Sequence, residues 1–172
     1  TIDLQERVNL DVLRGVAEGA SDIGITAGPI TAKDLQVIPF CTDRLVLTTH
    51  PQHALAAQLS VCLRDTLDYP HICLQEESSL LRFLQNQVDG LQRELNVRIQ
   101  VFGFESMCRM IAAGVGIGIM PRSAALRYQQ AMELSIIELN EPWAVRERSI
   151  IVRDAQALPE YVKTLIQLLV QQ

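Results

Sequence analysis

The stretch VFGFESMCRMIAAGVGIGIMP, residues 101–121, decides the fold class of this chain. It predicts three elements in order: a strand over 101–104, a helix from Glu105 or Ser106 to Gly114, and a strand over 115–120. Ser106 suits an N-cap, and Gly114 suits the left-handed position beyond a helix end. The glycine-rich strand is too apolar for an exposed segment, so we interpret it as buried on both faces, as in a parallel sheet. This strand-helix-strand unit indicates an α/β protein.

The glycines also suggest a nucleotide site, which the order of the elements disfavours. In a dinucleotide-binding fingerprint the glycines open the helix, because the phosphate sits at the helix N-terminus. Here the helix precedes Gly114. The helix end that could bind a ligand is the N-terminus, at Glu105 and Ser106. There, N–H groups without intrahelical partners and the positive end of the helix dipole face outward. We therefore take this end as a candidate ligand contact.

Length and composition restrict the functional classes. The chain has 172 residues, 48% of them apolar, so it can bury a core in one domain or in two small lobes. It has no apolar run of about 18 residues, and its first residues lack a signal-peptide pattern. These features predict a soluble, cytoplasmic protein without membrane contact. The net charge of −5 argues against a broad basic face, so DNA binding requires a segment outside this sequence.

The four cysteines do not predict a metal or cofactor site. They lie far apart among apolar residues, at Cys41, Cys62, Cys73 and Cys108. We interpret them as reduced thiols that act as small hydrophobic side chains. A redox pair formed by Cys62 and Cys73 is the alternative, but no basic residue beside them indicates a lowered thiol pKa.

Two histidines have a spacing that metal ligands use. His50 and His53 stand at i and i+3, but Pro51 between them indicates a loop and not a helix. The third histidine does not complete a Ser-His-Asp or Cys-His arrangement. We therefore expect no metal site, no cofactor and no enzyme activity.

Predicted helix starts recur along the chain. Asn9 is the expected N-cap of a helix that ends at Gly19, and Ser78 or Ser79 is the expected cap of a helix that ends at Gly90. The order of cap, helix, glycine and buried strand at 9–25 recurs at 106–120. This repetition indicates two similar α/β lobes.

Helix starts that follow strand ends predict a ligand site, because open α/β sheets bind ligands at the carboxyl ends of their strands. Converging helix N-termini favour an anion such as a carboxylate. The acidic side chains of Glu76, Glu77 and Glu105 favour an amine or a neutral ligand instead. Both ligand classes stay open at this point.

Five blocks in order resemble the effector-binding domain of LysR-type transcriptional regulators. They are the strand at 1–6 with its following helix, EGASDIGI (18–25), LQVIPFCTDRLVLTTHPQHALA (35–56), ESMCRMIAAGVGIGIMP (105–121) and EPWAVRERSIIVRD (141–154). Each block alone has low specificity. Their order and spacing over nearly the whole chain make the resemblance specific.

The resemblance implies two Rossmann-like lobes joined by two crossover strands, similar to type 2 periplasmic binding proteins. The first lobe is expected at 1–44 plus 148–172 and the second at 45–147. The function implied is that of a regulator's sensor domain, with a small-molecule effector in the cleft between lobes, a homodimer or homotetramer, and DNA contact through an upstream winged helix-turn-helix. The effector-binding residues implied are Asn9, Thr26, Ala27, Gly28, Glu77, Ser78, Ser79, Phe104, Glu105 and Ser106.

The chain departs from the family pattern at its start. Family members have a strand and a helix before the segment that matches residues 1–6, so we expect a fragment of a longer protein whose first lobe is truncated at the N-terminus. The strand at 22–26 would then have an unpaired edge, which is costly to leave bare. A periplasmic solute-binding receptor shares the architecture and is the alternative, although this chain shows no secretion signal.

Overall fold

The structure is a computed structural model that describes residues 2–5, 7, 9–28, 30, 32–76 and 78–170. Its helices, in chain order, are α1 (Asn9–Ala17), α2 (Leu63–Thr66), α3 (Ser79–Asp89), α4 (Phe104–Ala112), α5 (Arg122–Gln129) and α6 (Glu160–Val170), with a 3₁₀ turn at Pro142–Ala144. Its strands are β1 (Gly24–Ala27), β2 (Gln36–Thr49), β3 (Ser60–Val61), β4 (His71–Leu74), β5 (Val97–Val101), β6 (Gly118–Pro121), β7 (Ser135–Leu139) and β8 (Val145–Val152). Within these described ranges, no helix has the length and apolar character needed to cross a bilayer.

The chain forms two compact units. Unit 1 comprises Thr1–Thr42 and Arg146–Gln172, and unit 2 comprises Asp43–Val145. The polypeptide passes between the units along β2 and again along β8. The predicted α/β class with two crossover strands is confirmed.

Unit 1 is built on β1 and β8, which pair antiparallel with Gly24 opposite Ile151. Helix α1 packs directly on β1. A Cβ added to Gly24 would lie 2.5 Å from Cγ1 of Val12, so glycine is what allows this close approach. Val16 of the helix is fully buried in the contact. Among the described residues, β8 is the single strand that pairs with β1.

Two expectations for the start of unit 1 are wrong. Residues 2–5 form no strand, because none of the described residues pairs with them, and positions 1 and 6 lie outside the described residues. Asn9 is the first residue of α1 and not its N-cap. Its side-chain amide donates a hydrogen bond to the carbonyl oxygen of Ala27 at 2.9 Å. The expected helix end at Gly19 is confirmed by its φ of +80°.

Unit 2 is organised around the second half of β2. Strands β6 and β7 pair antiparallel with it, so that Leu47 lies opposite both Ile119 and Ile137. Alternate residues of β2 point to opposite faces. Leu47 therefore joins a core cluster with α3, and Val46 joins a second cluster with α4.

The decisive stretch has different boundaries from those predicted. Strand β5 ends at Val101, and Gly103 is the N-cap of α4, so Ser106 lies in the first helical turn. Phe104, the first residue of the helix, packs against both core clusters of unit 2. Gly114 has the predicted left-handed backbone, with a φ of +73°.

The glycine-rich strand is buried as predicted, but its pairing differs. All four residues of β6 are buried, and the strand runs antiparallel to β2. Among the described residues, the parallel contact before β6 is one bridge between Ile117 and His71. On α4, the i, i+3 and i+4 spacing of Met107, Met110 and Ile111 predicts that these three side chains share one buried face. Met107 and Ile111 are fully buried, but Met110 is 36% exposed and Cys108 is fully buried in its place.

Gly116 allows the backbone before β6 to approach the start of β4. A Cβ at this position would lie 2.5 Å from the Pro70 carbonyl oxygen and 3.2 Å from Cδ1 of Ile72. We expect Gly116→Ala to lower the free energy of unfolding by about 1–3 kcal/mol, because the backbone must shift to relieve the overlap. Chemical denaturation measures this loss. The control is Gly90→Ala, whose Cβ would approach no atom closer than 3.4 Å; equal midpoints for the two variants would contradict the prediction.

Candidate ligand-binding site

Two adjacent parallel strands bring two helix starts to one edge of unit 2. Strands β4 and β5 pair in parallel with Leu74 opposite Val101 at their carboxyl ends. Helix α3 begins at Ser79, five residues beyond Leu74, and α4 begins at Phe104, three residues beyond Val101. This edge is where open α/β sheets bind ligands.

The start of α3 is capped by its own chain. The hydroxyl oxygen of Ser78 accepts a hydrogen bond from the Leu81 N–H at 3.1 Å. The prediction of a serine cap is thereby confirmed, with Ser78 as the cap and Ser79 as the first helical residue. Ser79 is exposed at this end.

The start of α4 differs, because its N-cap is glycine. Gly103 has no side chain that could accept a hydrogen bond from the first turn. The first N–H groups of a helix have no intrahelical partner, so those of Phe104, Glu105 and Ser106 remain to be satisfied by water or a ligand. A Cβ built on Gly103 has no other heavy atom within 4 Å, so the space beside the cap is open. This helix end can accept an anionic group.

Glu105 stands in the first turn of α4, where its charge would oppose an anion. Arg109, one turn later, donates from Nε and Nη2 to the same Glu105 oxygen, at 3.2 and 2.8 Å. Both side chains are more than half exposed, so the pair contributes little to stability. It does place a positive charge beside the Glu105 carboxylate.

Phe102, the residue between β5 and the cap of α4, is not among the residues that the sequence predicts for the site. Its side chain is 93% exposed, while Phe104 two positions later is packed in the core. The signal was present in the alternation along the strand, since Phe102 falls on the opposite face from Val101. Because the sequence predicts one strand over 101–104, it does not predict that Phe102 lies outside the strand and is exposed.

The predicted site residues of unit 1 also lie near one another. The Asn9 side chain is bonded to Ala27 at the end of β1, as described above. Gly28 follows with a φ of +89°, and its N–H donates to the Glu147 carbonyl oxygen at 2.8 Å. The Thr26 hydroxyl is buried and has no hydrogen-bond partner among the described residues.

The ten predicted residues are therefore placed as follows. Unit 1 brings together Asn9, Thr26, Ala27 and Gly28, and the strand-end edge of unit 2 brings together Ser78, Ser79, Phe104, Glu105 and Ser106. Glu77 lies outside the described residues.

The buried thiols are poor nucleophiles. Burial raises the pKa of Cys73 to about 12 and that of Cys108 to about 11, so both stay protonated at neutral pH. The Cys108 thiol lies 3.6 Å from the sulfur of Met120 in the core. The interpretation as small hydrophobic side chains is correct for these two, whereas Cys41 is exposed and Cys62 half-buried.

The histidines lie away from the strand-end edge. His71 begins β4, at the opposite end from Leu74, and its ring is almost fully buried. Burial lowers the pKa of His71 to about 4, opposed by the hydrogen bond to the Tyr69 carbonyl oxygen. Burial and the nearby His50 lower the pKa of His53. No cluster of three metal-ligating side chains occurs in the part of the chain that the structure describes.

The chain has the α/β fold of the type 2 periplasmic binding protein kind. The sequence profile of the LysR substrate binding domain matches residues 1–172, and the chain belongs to this family. The resemblance inferred from the sequence blocks is confirmed.

A curated relative is the uncharacterized HTH-type transcriptional regulator YwbI of Bacillus subtilis strain 168. It is 25% identical over 142 residues, which are 83% of this chain and 47% of that protein. The chain thus spans about half the length of the curated relative it matches.

Solved structures of similar fold include domains with bound small molecules. The regulatory domain of CcmR from Synechocystis PCC6803, in complex with 2-PG, has a TM-score of 0.81 at 20% identity and covers 99% of this chain and 82% of that one. The effector-binding domain of QuiR, in complex with shikimate, has a TM-score of 0.71 at 19% identity. The match covers 95% of this chain and 77% of the QuiR chain. A full-length BenM variant has a TM-score of 0.75 at 23% identity, with coverage of 99% and 56%.

The cap of α3 can be tested by its effect on stability. We expect Ser78→Ala to lower the free energy of unfolding by about 1 kcal/mol, because the Leu81 N–H loses its acceptor. Ser79→Ala is the matched control and should change the value by less than about 0.5 kcal/mol, since an exposed first-turn serine holds no cap. Urea denaturation measures both. A loss in the Ser79 variant as large as that in the Ser78 variant would show that the cap is assigned to the wrong serine.

The buried imidazole predicts a dependence of stability on pH. The pKa of His71 is about 4 in the folded chain, below the ordinary value of 6.5, so the unfolded chain binds more protons between these values. The stabilisation is complete above pH 6.5 and is lost as the pH falls towards 4, by roughly 3 kcal/mol at most. His71→Asn keeps a donor for the Tyr69 carbonyl and removes the titration.

Urea denaturation at several pH values between 4 and 8 provides the measurement. The variant should lose less stability on acidification than the wild type does, whatever its stability at pH 8. Parallel curves for the two proteins would show that His71 does not cause the acid sensitivity.

Proposed function

We propose that this chain is the ligand-sensing domain of a LysR-type transcriptional regulator and binds a small-molecule effector. The observation that carries the proposal is the pair of helix starts at the carboxyl ends of β4 and β5. One start is capped by Ser78, whereas the other leaves its N–H groups available beside Gly103. The complexes of CcmR with 2-PG and of QuiR with shikimate support a ligand-binding role for this fold.

In unit 2, the proposed effector contacts are the first-turn amides of α4 and the hydroxyls of Ser79 and Ser106. We propose an anionic group on the effector, because the amides at a helix start and the positive end of the dipole favour negative charge. The Glu105 carboxylate would repel an anionic group, but Arg109 donates two hydrogen bonds to this carboxylate and so reduces the repulsion. In unit 1, we propose Asn9 and the turn Thr26, Ala27 and Gly28 as further effector contacts, because they lie together at the end of β1.

The longer protein implied by the relatives supplies the rest of the function. YwbI is an HTH-type regulator about twice as long as its aligned part, so we propose DNA contact through a segment outside this chain. A cytoplasmic location and a homodimer or homotetramer belong to the same proposal. Family membership favours the regulator over a periplasmic receptor and over an enzyme.

The role of Ser106 can be tested by filling the space above α4. Ser106 is exposed in the first turn, so Ser106→Trp should leave folding intact and block access to the amides. We expect affinity for an anionic effector to fall at least about tenfold, which corresponds to roughly 1.4 kcal/mol. Calorimetric titration with a panel of small carboxylates, shikimate included, provides the measurement.

Ser123→Trp is the matched control, since Ser123 is also an exposed serine in the first turn of a helix, α5. It should bind the panel as the wild type does. Unchanged affinity in the Ser106 variant would remove the start of α4 from the site. Equal losses in both variants would indicate a general effect of surface tryptophan.

A further inference from the structure

The single tryptophan of the chain, Trp143, packs against the helix that starts at the proposed effector site. It lies in the 3₁₀ turn Pro142–Ala144, directly before β8. Its ring meets the ring of Phe83 edge to face, with the two ring centroids 5.5 Å apart. Because Phe83 belongs to α3, the contact joins this helix to the turn from which the crossover strand β8 begins.

The turn that carries Trp143 is itself held in place. The backbone N–H of Asn140 donates to the Val61 carbonyl oxygen at 2.9 Å. The Glu141 carboxylate accepts a hydrogen bond from the Leu63 N–H at 2.8 Å. These bonds tie the backbone just before Trp143 to β3 and to the start of α2, so the indole ring is a fixed support for α3.

Phe83 lies on the side of α3 that also carries Ser79. The two residues stand at i and i+4, so they lie one turn apart on the same face of the helix. A helix that is packed along one apolar stripe can still roll by a small angle about its axis, and a contact beside the stripe opposes the roll. The buried stripe of α3 lies on the adjoining side and consists of Leu80, Leu81, Leu84 and Val88.

We propose that Trp143 is a positioning residue for the effector site, which acts through Phe83 to set the rotation of α3 and thereby the direction of the Ser79 hydroxyl. The inference rests on the proposed function, in which this hydroxyl contacts the effector, and it adds the residue that orients the contact. Edge-to-face rings have a preferred geometry, so they constrain the angle of α3 more closely than an aliphatic side chain would. A hydroxyl that is already oriented favours binding, because less conformational entropy is lost.

Crystal structures of variants test the inference without a ligand. We expect Trp143→Leu, which loses the ring, to let α3 roll, so that the Ser79 hydroxyl oxygen moves by about 1 Å or more relative to β4. Trp143→Phe keeps an aromatic partner for Phe83 and should hold this oxygen within about 0.5 Å of its place. The matched control is Tyr69→Leu, because Tyr69 forms a similar ring contact with His53 and neither residue belongs to α3. This control should not move Ser79.

A binding measurement separates positioning from packing, since Trp143 also packs against the core cluster that includes α3. Ser79→Ala and Trp143→Leu should each weaken the binding of shikimate by about fivefold, as the loss of one hydrogen bond does. The double variant should bind within about twofold of either single variant, because one change removes the hydroxyl that the other misplaces. Trp143→Phe should bind as the wild type does. Calorimetric titration gives the four affinities.

Two results would overturn the inference and leave the proposed function standing, since that function is tested at Ser106. One is an unmoved Ser79 in the structure of Trp143→Leu. The other is a loss of about 25-fold in the double variant, which independent contributions of Ser79 and Trp143 would produce. Lack of binding by shikimate and by the rest of the carboxylate panel would count against the anionic effector of the proposed function, and the crystal structures would still decide the role of Trp143.

Discussion

The parallel hydrogen bonds between β4 and β5 bring the starts of α3 and α4 to one edge of unit 2, where the effector site is proposed. They place Leu74 beside Val101, so the chain must leave both strands at the same edge and start both helices there. A shift of one residue would turn alternate side chains to the other face and move Val101 out of the core. The other edge of β4 is held by the His71–Ile117 bridge, which depends on the close approach of Gly116 to Pro70. Backbone contacts at the amino end of β4 thus help to position the helix starts at the carboxyl ends of β4 and β5.

The two helix starts at this edge differ in how the N–H groups of their first turns find hydrogen-bond acceptors. A helix begins with N–H groups that have no intrahelical partner. Ser78 satisfies one of them in α3 through its own hydroxyl, so that end is largely structural. Glycine at position 103 satisfies none in α4, and the exposed amides depend on water. A ligand that replaces this water loses little binding free energy, because folding has already ordered the amides.

Much of this arrangement could be predicted from local sequence signals. The helix ends at Gly19 and Gly114, the left-handed backbone of Gly114 and Ser78 as one of two possible caps are predicted correctly, because these rules depend on a residue and its near neighbours. The direction of β6 could not be predicted, since an apolar run with glycine fits a buried strand of either direction and the partner strand is far away in sequence. The burial of Cys108 in place of Met110 likewise depends on how α4 is rotated against β4 and β6. Asn9 was mistaken for a cap because its real partner, Ala27, is a tertiary contact.

The sequence does not decide the charge of the proposed effector. In the structure, the hydrogen-bonded pair of Glu105 and Arg109 bears on this charge. Glu105 alone argues against an anion, whereas the helix start argues for one. The i, i+4 spacing of Glu105 and Arg109 predicts a pair, yet the spacing does not tell which way the pair points. In the structure both donors of Arg109 converge on one Glu105 oxygen and draw the carboxylate along the helix surface towards the second turn. Because the pair is exposed, its value to the fold is small. Its consequence is local: it lowers the electrostatic cost of bringing a second negative charge to the amides of Phe104 and Ser106.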